Sequence, residues 1–131
     1  FLQAFSKIGL IPDSGGTWFL PRLVGWQKAS ALMMLGEKVS AAEAERMGMI
    51  YKVVGDEELQ DASAALAARL AQLPTKALAL TKHALNYSGN NTLETQLSLE
   101  GELQQRASRT ADYREGVQAF LEKRTPLFKG E

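Results

Sequence analysis

An aspartate set between a proline and a glycine pair, Pro12-Asp13-Ser14-Gly15-Gly16, is where this sequence is best placed to do chemistry. Proline fixes one backbone angle and the glycines let other groups approach closely, so the Asp13 carboxylate can be held rigidly at the mouth of a helix. On spacing alone two readings stay open. As a helix N-cap, Asp13 would stabilise the helix that follows by about 0.5–2 kcal/mol. As a reactive group it would move protons, its ionisation tuned in opposite directions by the helix terminus and by any apolar pocket around it. Other candidates are few. His83 is the single histidine, which leaves no His-pair metal site and no Ser-His triad with a spare base, and it reads as a structural residue of a Leu-rich helix. Gly15-Gly16 completes neither a Walker loop nor a dinucleotide fingerprint. Lys123-Arg124, with Lys129 beyond, could place positive charge near a phosphate, or could be a solvated tail whose cations suit the end of a helix. Trp18, Phe19 and Trp26 read as core or interface residues rather than substrate platforms.

The elements that must position these groups follow from periodicity and punctuation. Residues 1–11 alternate loosely between apolar and polar and predict a strand or extended segment leading into the Pro12–Gly16 turn. A helix starts near Thr17, with a kink or restart expected at Leu20 or Pro21, where proline removes an internal donor. Trp26 to Leu35 is rich in Ala, Leu and Met and predicts a helix closed by Gly36. Ser40-Ala41-Ala42-Glu43 has capping-box spacing, and Gly48 ends the short helix it opens. The β-branched and aromatic run Met49 to Val54 predicts a second strand. Helices are then expected over Glu57 to Leu73, Lys76 to Tyr87 and Thr92 to about Thr110. Asp112-Tyr113-Arg114-Glu115 offers a second capping box before a helix that Pro126 ends. The apolar stripe Leu93, Leu97, Leu103 of the long helix is thin, as suits a face turned to a partner or a neighbouring helix.

Composition narrows the function classes. Fifteen basic residues balance fifteen acidic ones, so the basic face expected of a nucleic-acid binder is missing from the totals and no nucleic-acid partner is expected. There is no cysteine, which excludes disulfides, thiolate metal sites and a thiol nucleophile; no metal is expected. No apolar run approaches the roughly 18–20 residues that span a bilayer, and the chain reads as soluble, with a cytoplasmic location compatible and no membrane partner expected. With 131 residues, 45% of them hydrophobic, one domain is the default. The first residue is Phe1 rather than Met, inside an apolar segment, which suggests a piece of a longer protein.

Four ordered blocks resemble the crotonase (enoyl-CoA hydratase/isomerase) superfamily: Ile8-Gly9-Leu10-Ile11-Pro12-Asp13-Ser14-Gly15-Gly16-Thr17; Leu20-Pro21-Arg22-Leu23-Val24-Gly25; Ala42-Glu43-Ala44 with Gly48-Met49-Ile50; and Glu115-Gly116-Val117-Gln118-Ala119-Phe120-Leu121-Glu122-Lys123-Arg124. The resemblance runs through the whole chain and places it as roughly the C-terminal half of a member. It implies an α/β spiral fold of the ClpP/crotonase type in the full-length protein, of which this piece is mostly α with about two short strands. Residues 1–55 would be the end of the acyl-CoA core, and residues 56–131 a C-terminal helical region for oligomerisation, as a homotrimer or hexamer, and for CoA contact. The other half would supply the spiral core, most of the acyl-CoA pocket and the backbone N–H pair of the oxyanion hole.

The same resemblance assigns roles. Asp13 looks like the catalytic carboxylate, Pro12, Gly15 and Gly16 look like substrate-binding positions around it, and Lys123 looks like the lysine that contacts CoA phosphates. No cofactor is implied beyond the CoA carried by the thioester substrate. Hydratases of the superfamily look as though they use two glutamates, one of them eight residues before the position of Asp13; here that position is Phe5, which cannot transfer a proton, so simple water addition is disfavoured. A lone aspartate resembles the isomerase branch, and Ile-Pro-Asp-Ser-Gly-Gly-Thr-Trp with Ala111-Asp112-Tyr113-Arg114-Glu115-Gly116-Val117 is similar to the ring-1,2-epoxyphenylacetyl-CoA isomerases of phenylacetate degradation. The implied reaction is conversion of the epoxide to an oxepin, or migration of an enoyl-CoA double bond. The alternatives are a hydratase-like member, an aryl-CoA dehalogenase-like member, in which the carboxylate attacks a ring but Gly-Gly-Thr does not follow it, and a helical assembly piece without activity.

Overall fold

A computed structural model describes all 131 residues. The chain folds as two compact units, Phe1–Glu58 and Leu59–Glu131. No helix is long and apolar enough to cross a membrane.

In the first unit a 3-10 turn, Phe5–Ile8, leads to helix α1 (Gly16–Val24), helix α2 (Trp26–Leu35) and the short helix α3 (Ala41–Arg46). The core lies between α1 and α2, where Leu20, Ala29 and Leu32 are buried and Val24, Met33, Val39, Met47 and Met49 pack against them. Gly36 ends α2 with φ +59 and lets the 3-10 turn close on it: a Cβ there would sit 2.9 Å from the Lys7 side chain and 3.1 Å from the Gln3 carbonyl. That contact anchors the chain just upstream of Asp13. The restart considered at Leu20 or Pro21 does not occur. Pro21 is the sixth residue of α1 and deprives only the Thr17 carbonyl of its donor, and the helix runs on to Val24. The restart comes instead at Gly25, whose φ of +79 turns the chain and whose N–H closes α1 on the Pro21 carbonyl at 3.0 Å.

Neither expected strand forms. A strand needs a neighbour to pair with, and the first segment finds one only at an isolated antiparallel bridge, Leu2 to Lys38. In the second, local partners take the donors a ladder would have used: Met49 N–H binds the Ala44 carbonyl at 2.9 Å and Val53 N–H binds Glu45 Oε1 at 3.0 Å. The Ser40 cap of α3 is present, with Ser40 Oγ accepting from Glu43 N–H at 3.1 Å. The reciprocal half of the box is not, because the Glu43 carboxylate turns to Arg46 at 3.3 Å and Lys28 at 3.9 Å.

The second unit holds helices α4 (Leu59–Ala71), α5 (Thr75–Ser88), α6 (Leu93–Ser108) and α7 (Ala111–Glu122). Thr92 caps α6 through Thr95 N–H at 3.2 Å. The cap of α7 corrects the capping-box expectation for Asp112 and Glu115: Thr110 is the cap, accepting from Tyr113 N–H at 3.1 Å. Asp112 is instead buried, at 3% exposure, and its two oxygens accept from Lys129 N–H at 2.7 Å and Gly130 N–H at 2.8 Å. The C-terminal tail is thereby folded back along α7, with Phe128 against Gly116. Little else is buried here beyond Leu103 and Ala119. Helix α4 buries nothing, and Leu59, Leu66, Leu70, Leu85, Leu93, Leu97, Phe120 and Leu121 stay exposed. Trp18, Phe19 and Trp26 are exposed as well, so they are not core residues of this chain.

Asp112→Ala should destabilise the second unit by roughly 2–4 kcal/mol, because two tail N–H groups lose a charged acceptor and the tail loses its anchor. Urea unfolding of the variant against wild type measures this.

Candidate functional site

The loop that carries Asp13 is built from backbone hydrogen bonds and a pair of left-handed residues. Gly9, with φ +74, ends the 3-10 turn, and Leu10 N–H returns to the Phe5 carbonyl at 3.0 Å. After Ile11 and Pro12 the chain reverses between Asp13 and Gly16, whose N–H binds the Asp13 carbonyl at 2.8 Å. Ser14 has φ +51 and Gly15 φ +79, the two positive angles of a type I′ turn. The Gly15 carbonyl then accepts from both Trp18 and Phe19 N–H at 2.9 Å and starts α1.

Both glycines sit in tight space. A Cβ on Gly15 would lie 2.9 Å from the Phe19 ring, and one on Gly16 would lie 3.3 Å from Pro12 Cβ. Asp13, Gly15 and Gly16 thus share one turn, and Pro12, just before it, packs against Gly16.

Asp13 is not a helix cap. The N-cap of α1 is Gly15, with no side chain bound to the first turn. The Asp13 carboxylate is exposed and accepts one hydrogen bond, from the Ser14 hydroxyl to Oδ1 at 3.0 Å. One oxygen is therefore oriented by a neighbour and the other is open to a ligand. Ser14 received no role from the sequence; its structural signal is a non-glycine residue at positive φ beside Asp13, a conformation that costs energy and clusters at functional sites. Phe5, in the 3-10 turn, supplies no acid. Ile8, Leu10 and Ile11, in the segment leading to Asp13, are all exposed.

Lys123 belongs to the second unit. It is the residue that ends α7, in left-handed conformation with φ +55, and its N–H binds the Ala119 and Phe120 carbonyls. Its side chain is exposed and makes no ion pair. Arg124 differs. Its guanidinium grips both oxygens of Glu115 at 2.6 and 2.9 Å and reaches Glu122 at 2.6 Å. Glu115 also accepts from Leu127 N–H at 2.8 Å. The Arg124 fork, helped by that N–H, holds the Glu115 carboxyl down to about 2. Glu122 is lowered too, first by the Gln118 amide and then by Arg124, and the two carboxylates raise Arg124 in turn. Of the three tail cations, Arg124 is spent on this clamp, whereas Lys123 is free for an anion. His83 lies exposed against Tyr87, ring centroids 4.8 Å apart. No group of three or more His, Cys, Asp or Glu side chains is arranged to hold a metal ion.

Residues 1–131 match the enoyl-CoA hydratase/isomerase family along their whole length. The 1,2-epoxyphenylacetyl-CoA isomerase of Escherichia coli K12 is 54% identical over 131 residues, all of this chain and 50% of that protein. A protein of Rhodobacter capsulatus named probable enoyl-CoA hydratase is 49% identical over 130 residues, 99% of this chain and 51% of its own. The crystal structure of an enoyl-CoA hydratase/isomerase from Cupriavidus metallidurans CH34 superposes with a TM-score of 0.93 at 39% identity, covering 99% of this chain and 49% of that one. The chain spans about half the length of the curated relatives it matches.

The clamp sets a pH dependence. The Glu115 carboxyl lies at about 2 in the fold against an ordinary 4.5, so its stabilisation is complete above about pH 4.5 and is lost as the pH falls towards 2. Glu115→Gln should be less stable than wild type near neutral pH, with the difference closing towards about pH 2. Thermal unfolding midpoints across that range check this; a difference independent of pH would exclude the carboxylate charge as its source.

Proposed function

The chain belongs to the enoyl-CoA hydratase/isomerase family, and from that premise we propose that the enzyme containing it isomerises acyl-CoA thioesters with Asp13 as its proton shuttle. The observation that carries this reading is the state of the Asp13 carboxylate: held on a type I′ turn, excluded from the capping role, oriented at one oxygen by Ser14 and open at the other. In the double-bond migration, Asp13 takes a proton α or γ to the thioester carbonyl, and the electron pair moves into the enolate. Asp13 then returns the proton at the other carbon, so the product has the atoms of the substrate. Backbone N–H donors from outside this chain would stabilise the enolate oxygen, a contribution of about 2.7–4 kcal/mol per donor in comparable sites. The substrate we infer is a ring-1,2-epoxyphenylacetyl-CoA, or an enoyl-CoA further along the same degradation; the identity to the Escherichia coli isomerase supports it.

Residues 1–55 then form the end of the acyl-CoA core, and residues 56–131 an assembly region for a trimer or hexamer that also presents Lys123 to the CoA phosphates. The exposed apolar faces of α4 to α7 and the free Lys123 ammonium support that division. A hydratase is the second reading, favoured by the likeness to the Rhodobacter protein; Phe5 in place of an acid argues against it.

Asp13→Asn in the full-length enzyme should lower kcat at least about 100-fold; turnover within a few-fold of wild type would sink the assignment. Turnover in heavy-oxygen water separates the two readings, since isomerisation leaves the product mass unchanged and hydration adds one heavy oxygen. Lys123→Ala should raise the acyl-CoA KM several-fold at low salt with kcat unchanged, and an unmoved KM would return Lys123 to the solvated tail.

A further inference from the structure

Three helices of the second unit bring four cations to one cleft. Lys76 of α5, Arg106 and Arg109 at the end of α6, and Arg114 of α7 line a depression of about 620 Å³, a volume suited to a small ligand. None of the four makes an ion pair. A single carboxylate side chain, Glu131, shares the lining with them, and the nearby buried Asp112 is turned away, its oxygens committed to the Lys129 and Gly130 N–H groups.

A solvated basic face accounts for only half of this arrangement. Arg106 in the last turn of α6 and Arg109 just past it sit where a helix dipole favours cations. Lys76 is the second residue of α5 and Arg114 the fourth of α7, first-turn positions where the dipole disfavours positive charge. Arg106 and Arg109 are also like charges three residues apart on one helix face, an unfavourable spacing. An anion in the cleft reverses each of these penalties. It is attracted by all four cations and screens them from one another.

We propose that this cleft binds a compact phosphate-bearing anion, a phosphate or diphosphate ester. Arginine forks match phosphate oxygens two at a time, and three arginines beside a lysine supply more donors than one phosphate group can use, which favours a diphosphate. The site uses none of the residues assigned above to catalysis or thioester binding. Arg114 and Lys123 are nine residues apart on α7, about 14 Å along its axis, so one phosphate group does not bridge them.

The test is calorimetric titration of the full-length protein with inorganic pyrophosphate at low salt. Saturable binding is expected, weakened at least about tenfold in Arg109→Gln/Arg114→Gln and unchanged in Arg46→Gln, a surface cation elsewhere, with acyl-CoA turnover of the double variant as in wild type. A readout that needs no variant is protection of Arg106, Arg109 and Arg114 from phenylglyoxal by pyrophosphate, located by mass spectrometry. Displacement of pyrophosphate by ADP identifies a nucleotide phosphate as the occupant, displacement by inorganic phosphate alone identifies the free ion, and either supports the site. Binding that does not saturate, that survives in the double variant, that falls equally in Arg46→Gln, or that leaves the three arginines unprotected overturns it.

Discussion

Side-chain oxygens that take up backbone N–H groups left over by the helices fix the turns and ends of this chain. The first unit buries Leu20, Ala29 and Leu32 as a cluster, and the second buries little beyond Leu103 and Ala119. A core this small is a weak organiser. The chain's turns and ends are held instead by Ser40, Thr92 and Thr110 at three helix starts, by Glu45 on the N–H of Val53, and by Asp112 and Glu115 on the tail. Each joins a side-chain oxygen to an N–H that no helix or sheet uses, over three residues at the helix starts and over twelve or more at the tail.

The same rule shapes the Asp13 loop. Its turn is closed by backbone pairs, Gly16 N–H on the Asp13 carbonyl and the Trp18 and Phe19 N–H groups on the Gly15 carbonyl, and the Asp13 side chain caps none of these N–H groups. Gly15 caps α1 in a left-handed conformation that favours glycine, and Ser14 before it shares the positive φ. A carboxylate kept out of the hydrogen-bond framework by its own loop can move a proton without loosening the fold.

At the far end of α7 a charge is freed in a comparable way. Arg124, tied to Glu115 and Glu122, locks the turn where the helix ends, so that Lys123 is presented in a fixed left-handed geometry without a partner. Two adjacent cations that look interchangeable in the sequence are thus separated, one into the frame and one onto the surface.

Helix boundaries were legible from the sequence because they rest on local rules: Trp26 to Leu35 with Gly36 behind it, Thr92 opening α6, and a turn wherever proline and glycine cluster. Family membership was legible for a related reason, since the ordered blocks around Asp13 and Lys123 preserve side-chain types at fixed spacing. What the tertiary structure alone decided depends on partners distant in the chain or missing from it. The strands expected before Asp13 and at Met49 to Val54 do not form, because the first segment pairs only at the Leu2–Lys38 bridge and the second gives its N–H groups to Ala44 and Glu45. Asp112 and Glu115, three residues apart like a capping box, became tail anchors once residues 124–130 folded back over α7, a contact spanning up to eighteen positions. Asp13 is not the cap because α1 starts two residues beyond it, with Gly15 at the N-cap in the positive φ that glycine adopts readily.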